Sequence, residues 1–219
     1  MYIVFKRFTD IIIASAALIL LSPIFIPVMI ILLLTGEHEV FYLQQRIGFK
    51  GRSFPILKFA TMVKNSPNMG MGEITLRNDP RVTPFGKFLR KTKINELPQI
   101  LNVLKGEMSI VGPRPLMEVS YRLYNTEQQQ TIYSRKPGIT GIGSLIFRDE
   151  EKILSASSDP RETYKLIYPY KAAVEVWYAQ NANTKNDLLI ILLTAITIIF
   201  PENKLINSFF KGIPQRPKF

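Results

Sequence analysis

The sequence contains no cysteine and a single histidine, His38, in 219 residues. Without cysteine there is no disulfide scaffold, no thiolate zinc site and no cysteine nucleophile, and a reducing compartment fits. A Ser-His-Asp triad or a histidine-based metal site would have to pass through His38, which stands just after a long apolar run. Isolated histidines rarely act alone, so a solvated turn or a membrane-interface position is the plainer reading. Acid is also scarce: 17 Asp and Glu face 28 Lys and Arg, a formal net charge of +11. That balance predicts an anionic partner, whether phosphate ligand, acidic membrane surface or nucleic acid. The nucleic-acid reading rests on charge alone, with no recognition helix or stacking-aromatic motif beside it, and no nucleic acid is expected among the partners.

The apolar residues are unevenly spread, concentrating at 11–34 and 188–200. Lys6, Arg7 and Asp10 precede 24 uncharged residues, 11–34. A helix of that length reaches about 36 Å, enough for a hydrocarbon core of about 30 Å. The run is too long for a signal peptide and no small-residue cleavage site follows it, so a membrane segment is expected. Ser22 and Pro23 stand at its middle, with Pro27 one turn on. Proline removes a backbone donor and clashes with the preceding turn, which predicts a kink or a break, and Ser22 can satisfy the freed carbonyl. Basic residues on both flanks, Lys6 and Arg7 before and Arg46, Lys50 and Arg52 after, favour a re-entrant hairpin with both ends on the cytoplasmic side. A kinked spanning helix is the alternative.

Beyond the membrane segment, strands are expected at 40–44 and 54–62 with a turn at 47–51, then a mobile loop at 65–73 rich in Gly, Met, Ser, Pro and Asn. Residues 81–93 are densely basic. Apolar spacing at Leu97, Ile100, Leu101 and Leu104 predicts an amphipathic helix from Glu96, ended by Gly106. Residues 121–133 and, in part, 160–180 are expected to be helical, the latter with an aromatic face. The apolar stretch 188–200 is too short for a comfortable span and suits an interfacial helix, with Trp177, Tyr178, Lys204 and Lys211 near the headgroups. The expected fold is α+β and mainly helical. It divides into a membrane helix at 1–37, a catalytic domain at 38–186, and an interfacial helix with a basic tail at 187–219.

Chemistry concentrates between Arg90 and Leu116. There a basic run meets an isolated acid, Glu96, and then Val111-Gly-Pro-Arg-Pro115. Two prolines hold Arg114 in a stiff turn, which lowers the entropic cost of aiming its guanidinium. A fixed arginine, basic neighbours and one carboxylate suit a diphosphate bound with Mg²⁺. A structural salt-bridge cluster at a helix start would look the same.

At this point the chain resembles the bacterial sugar transferase family, the monotopic phosphoglycosyltransferases that begin lipid-linked glycan assembly. The likeness runs through Lys6-Arg-Phe-Thr-Asp10, the hydrophobic segment with Ser22-Pro23, Gln44-Gln-Arg-Ile-Gly48, Lys58-Phe59 and Asp79-Pro-Arg-Val-Thr83. It continues through Gly86-Lys-Phe-Leu-Arg-Lys-Thr92, Glu96-Leu-Pro-Gln99, Asn102-Val-Leu-Lys-Gly106, Val111-Gly-Pro-Arg-Pro115 and Pro137-Gly-Ile-Thr-Gly141. The joint order of these motifs carries the resemblance. It implies a re-entrant membrane helix, an active site on the cytoplasmic face of the bacterial inner membrane, and transfer of a sugar-1-phosphate from a UDP-sugar to polyprenyl phosphate. Mg²⁺ is the implied cofactor, with Glu96 its ligand. Arg114 is the implied diphosphate clamp, with Arg90 and Lys91 facing phosphate. Lys58, Arg81, Lys136 and Arg148 are further candidate contacts. Arg81, Lys87 and Lys91 would serve equally as a tether to anionic lipid. Pairing with a second copy or a related transferase is a further expectation.

The family uses an Asp-Glu pair in which the aspartate forms a covalent phosphosugar intermediate; here the pair is Asn95-Glu96. A carboxylate can attack phosphorus and become an acyl phosphate, whereas an amide cannot do so at useful rates. Four readings follow. The lipid phosphate attacks directly; another carboxylate (Asp149, Glu150 or Glu151) stands in; the chain binds substrate or supports an active partner without turning over; or an engineered substitution traps it. Further departures are Ala60 where the family has arginine, Lys136 where it has arginine, and Phe147-Arg-Asp-Glu-Glu151 in place of Gly-Arg-Asn.

Overall fold

A computed structural model describes residues 2–69, 79–148, 150–200 and 209–217, leaving aside the side chains at 67, 151 and 199. The second half of the glycine- and methionine-rich loop, Asp149 and Lys204 lie outside those residues. Helix α1 spans Tyr2–Leu34. It is the one helix among the described residues long and apolar enough to cross a membrane, and only 17% of its most apolar 18-residue stretch is buried. A core helix of a soluble protein would be mostly buried. The positions α1 does bury, Asp10, Ala14, Phe25, Val28 and Leu32, recur at helical spacing along one stripe. Much of the remaining surface is apolar and exposed, as at Ile12, Ile19, Leu20, Ile26 and Ile30.

The helix runs without interruption through Ser22 and Pro23, so the expected separation into two arms is absent from its secondary structure. The reason is local. Pro23 has no N–H to offer the carbonyl four residues back, Ile19, and the Ser22 hydroxyl donates to that carbonyl at 2.7 Å instead. The lost backbone bond is replaced and the helix continues.

The charged head of α1 docks on the rest of the chain. Arg7 donates to the carbonyls of Val103 and Leu104 at 2.6 and 2.9 Å. These carbonyls belong to the last turn of helix α3, Gln99–Lys105, where a cation is favoured. Asp10 is buried and accepts from the Ser109 hydroxyl and the Ile110 N–H, both at 3.0 Å. Lys6 pairs with Asp187 at 2.6 Å, and Tyr2 and Tyr178 donate to the same carboxylate. The far end packs too: Phe25, Val28 and Leu32 join Phe59 and Leu89 in one apolar cluster. Both ends of α1 therefore rest on the same domain.

That domain begins with an antiparallel hairpin, β1 (Phe41–Ile47) and β2 (Ser53–Phe59), in which Tyr42 faces Lys58. Helix α2 (Pro84–Lys91) opens on Thr83, whose hydroxyl accepts from the Gly86 N–H, and on Pro84 in its first turn. The helix expected from Glu96 instead resolves into a 3-10 turn, Ile94–Glu96, followed by α3. Pro98 enforces this, since it lacks the N–H an interior position needs and stands at the α3 N-cap. Gly106 ends α3 at φ 86, as expected.

Strands β3 (Ser109–Val111) and β4 (Gly138–Thr140) pair in parallel, Ser109 opposite Gly138 and Val111 opposite Thr140. Two separate glycine-containing motifs thus become one element. A Cβ at Gly138 would collide with the Gly112 N–H, and one at Gly141 with the Gly112 carbonyl. Here glycine is required by backbone approach. Between the two strands lie α4 (Glu118–Tyr121) and α5 (Thr126–Ile132). They replace the single helix expected at 121–133, because the Asn125–Gln128 capping box starts a new helix there. Helices α6 (Ile142–Ile146), α7 (Glu150–Ala156), α8 (Pro160–Asn181) and α9 (Thr184–Ile199) complete the described fold. Helix α9 is half docked, with Ile190 and Leu193 in the core and Leu188, Leu192 and Ile198 outside. Tyr178, expected near lipid headgroups, is instead buried against Asp187, while Lys211 is exposed.

Candidate active site

Six parts of the chain, β4 among them, converge on one cleft, lined by Arg46, Ile56, Lys58, Glu96, Gln99, Arg114, Pro115, Gly138 and Ile139. Strand β2 contributes Lys58 and β1 contributes Arg46. The 3-10 turn brings Glu96, the first turn of α3 brings Gln99, and the loop after β3 brings Arg114. Lys58 Nζ stands 3.9 Å from Glu96 Oε1. Arg46 is held in place by Gln44 Oε1, which accepts from its Nη2 at 2.6 Å and its Nε at 3.1 Å.

The electrostatics divide acid from base. Burial alone would raise the Glu96 carboxyl, but Lys58, Arg114, Lys93 and Arg46 outweigh it and hold it at about 2. Glu96 is therefore an anion at any physiological pH. Lys58 moves the other way: burial pushes it down to about 7, against the pull of Glu96 and with Arg46, Arg114 and Arg90 adding repulsion. One fixed anion among three cations leaves the cleft with an excess of positive charge, suited to a diphosphate.

Asn95 shares the 3-10 turn with Glu96, is only 6% exposed, and its amide oxygen has no hydrogen-bond partner. Buried polar atoms are normally paired, so an orphaned oxygen in the turn that carries Glu96 is an acceptor open to a ligand, although Asn95 is not among the residues that line the cleft. Among the described residues there is no cluster of three or more His, Cys, Asp or Glu to cage a metal. One carboxylate and one amide oxygen do suit Mg²⁺, which takes few protein ligands and completes its shell with water and substrate phosphates.

The other candidates fall in different places. Arg90 is half-buried in the last turn of α2, within electrostatic reach of Lys58. Lys91, beside it, is exposed, as is Arg148 after α6. Lys136 lies near Arg7 and Asp10 at the head of α1, where burial and Arg7 lower its pKa.

Arg81 is a correction. It is 3% exposed, and its guanidinium binds Asp79 at 2.6 Å and the carbonyls of Ser66 and Met69 at 3.2 and 2.9 Å. It serves the loop rather than phosphate, because the aspartate two residues earlier captures it. Glu150 binds Lys171 at 2.8 Å, and that ammonium lies over the rings of Phe147, Tyr164 and Tyr168. Glu150 is not among the residues that line the cleft, though its charge is felt at Arg114. Ala60, where an arginine was expected, borders a separate, largely apolar cavity of about 270 Å³ with Leu32, Met62 and Phe85.

Sequence reasoning missed Arg46 and Gln99, although both lie inside quoted motifs, and it missed Glu175. This residue of α8 is buried, and Oε1 accepts from the Arg114 N–H at 3.3 Å. Burial raises its carboxyl from 4.5 to about 7, a rise the Arg114 N–H, the Lys171 ammonium and the Arg114 guanidinium only partly oppose. Between those pH values the folded protein holds a proton that the unfolded chain has released, so stability falls as pH rises through the window. Above pH about 7 the cost is complete, on the order of 3 kcal/mol. Glu175→Gln removes it. The variant is expected to melt higher than the parent at pH 8 and to converge with it below pH 4.5 in thermal unfolding across pH. Parallel melting curves at all pH values would contradict this.

A model of the family described as bacterial sugar transferase matches residues 1–201 of the chain. The exopolysaccharide production protein ExoY of Sinorhizobium fredii is 36% identical over 86% of this chain and 83% of its own length. The undecaprenyl-phosphate galactose phosphotransferase of Salmonella typhimurium is 32% identical over 89% of this chain and 40% of its own. The UDP-glucose:undecaprenyl-phosphate glucose-1-phosphate transferase of Klebsiella pneumoniae is 38% identical over 75% and 36% respectively. With nearly the whole chain matched, the protein belongs to the bacterial sugar transferase family.

Proposed function

We propose that the chain transfers a sugar-1-phosphate from a UDP-sugar to polyprenyl phosphate at the cytoplasmic face of the bacterial inner membrane, the first step of a lipid-linked glycan. The observation that carries this is the cleft itself: an ionised Glu96 facing Lys58, with Arg46 and Arg114 alongside. Two of the similar proteins are named for transfer to undecaprenyl phosphate. Arg114, Arg46 and Lys58 bind and orient the diphosphate oxygens. Glu96, with the Asn95 amide oxygen, would hold Mg²⁺, which would neutralise charge on the transferring phosphoryl group.

An amide at 95 forms no acyl phosphate. The transfer is therefore a direct displacement. An oxygen of the lipid phosphate attacks the β-phosphorus, the bond from that phosphorus to the UMP oxygen breaks, and UMP leaves with the electron pair. The products are a polyprenyl diphosphosugar and UMP. The test is UMP release from a panel of UDP-sugars with polyprenyl phosphate and Mg²⁺. Turnover with at least one sugar is expected, and silence with all of them would favour a binding member of the family.

The same reading makes α1 re-entrant, entering and leaving through one leaflet. It is supported by the docking of Arg7 and Asp10 at one end and of Val28 and Leu32 at the other onto a single domain, and by basic residues on both flanks. The chain has no cysteine, so single replacements Ile3→Cys and Glu39→Cys report topology directly. Both are expected to react with an impermeant maleimide only from the cytoplasmic side; labelling from opposite sides would establish a span.

A further inference from the structure

Arg114 sits between two prolines, so within Pro113-Arg114-Pro115 the one backbone N–H belongs to Arg114. That N–H goes to Glu175 Oε1 of α8 at 3.3 Å, and the Arg114 carbonyl accepts from the Tyr133 hydroxyl, just past α5, at 3.2 Å. The flanking carbonyls are engaged as well: Pro113 accepts from the Gly138 N–H at 3.0 Å and Pro115 from Arg46 Nη1 at 3.4 Å. The backbone carrying the guanidinium is thus gripped on both sides by buried side chains from distant parts of the chain.

We propose that Glu175 and Tyr133 are positioning residues that aim Arg114 at the diphosphate, Glu175 through the N–H and Tyr133 through the carbonyl of the same residue. The inference rests on the reading of Arg114 as a diphosphate contact. Packing alone would not place a carboxylate here. Glu175 is 4% exposed, its second oxygen has no partner, and the fold makes room for it, since a Cβ at Gly143 would collide with Oε1. A buried acid with half its hydrogen-bonding capacity unused is costly. What the position provides is an acceptor for the Arg114 N–H, held behind a guanidinium that faces the cleft. A stiff Pro-Arg-Pro turn needs such an anchor, because its prolines can donate nothing to the surrounding strands.

The test is a double-mutant cycle on the full chain in detergent, read as the Kd for UDP with Mg²⁺ by titration calorimetry. Arg114→Ala and Glu175→Ala are each expected to weaken UDP binding roughly tenfold or more, and the double variant to bind no worse than Arg114→Ala alone. Glu175→Gln, which keeps the acceptor, restores most of the affinity, and Tyr133→Phe, which keeps the ring, loses several-fold. A merely structural role for Glu175 would lower the fraction of protein able to bind and leave the Kd of that fraction unchanged. Additive losses in the double variant, or no rescue by Gln, overturn the inference and leave the proposed activity standing. An Arg114→Ala variant that binds UDP normally removes Arg114 from the diphosphate site and takes both readings with it.

Discussion

Glu96→Gln is expected to reduce UMP release by roughly 10³-fold or more, the scale of removing a charge-stabilising group from a preorganised site. Among the described residues Glu96 is the one carboxylate lining the cleft. The cations around it hold it at about 2, so it meets a metal as an anion without having to shed a proton. Glutamine keeps the size and removes the charge. Asn95 could then offer Mg²⁺ only a second neutral amide, and Mg²⁺ selects strongly for charged oxygen. The substitution also strips Lys58 of the one charge that favours its protonation, while Arg46, Arg114 and Arg90 continue to repel it. The phosphate site therefore loses cationic character at the same time as it loses the metal. Glu96→Asp should retain more activity than Gln, and raised Mg²⁺ should recover part of the Asp variant alone. A melting temperature close to the parent's shows that the loss is chemical. Near-normal turnover of Glu96→Gln would remove this residue from the mechanism.

The candidacy of Glu96 and Arg114 was legible because each sits in a motif whose local chemistry is self-explanatory, an acid isolated in a basic run and a fixed arginine between prolines; Lys58 was named through the family resemblance. Their meeting was not derivable from spacing, since it depends on β3 and β4 pairing in parallel and on Gly112, Gly138 and Gly141 admitting a close backbone approach. Arg81 shows the opposite error. Its motif reads as a basic phosphate contact, yet an aspartate two residues earlier forms a local ion pair at 2.6 Å that uses it up. That spacing was a visible signal. Glu175 carried no signal: a lone acid in an aromatic helix is ordinary until the partner across the fold is known. The head of α1 lies between these cases. Lys6, Arg7 and Asp10 belong to a motif that carries the resemblance, and their role in tying α1 to α3, β3 and α9 emerged only from the contacts. The length of the uncharged run located the apolar helix α1 but could not settle its break, because the side-chain bond from Ser22 to the Ile19 carbonyl that accommodates Pro23 is a matter of local geometry.

Asn95→Asp should change the kinetic order of the reaction more than its rate. With the native amide, phosphoryl transfer requires both substrates at once, so labelled UMP should not exchange into a UDP-sugar when polyprenyl phosphate is left out. A direct displacement also inverts configuration at a chiral β-phosphorus. Aspartate at 95 would place a carboxylate beside Glu96 in the same 3-10 turn, under the same cationic field that lowers its neighbour, so it would be ionised and able to attack. An acyl phosphate could then form with release of UMP before the lipid arrives. The expected result is the appearance of lipid-independent exchange, from undetectable in the parent to at least about 10²-fold above background in the variant, with retention of configuration. The added negative charge works against binding of a diphosphate, so KM for the UDP-sugar should rise even as exchange appears. Lipid-independent exchange by the parent chain would sink direct displacement and send the search to another nucleophile. Absence of exchange in both, with turnover intact in both, would mean that position 95 lies outside the reach of the β-phosphorus.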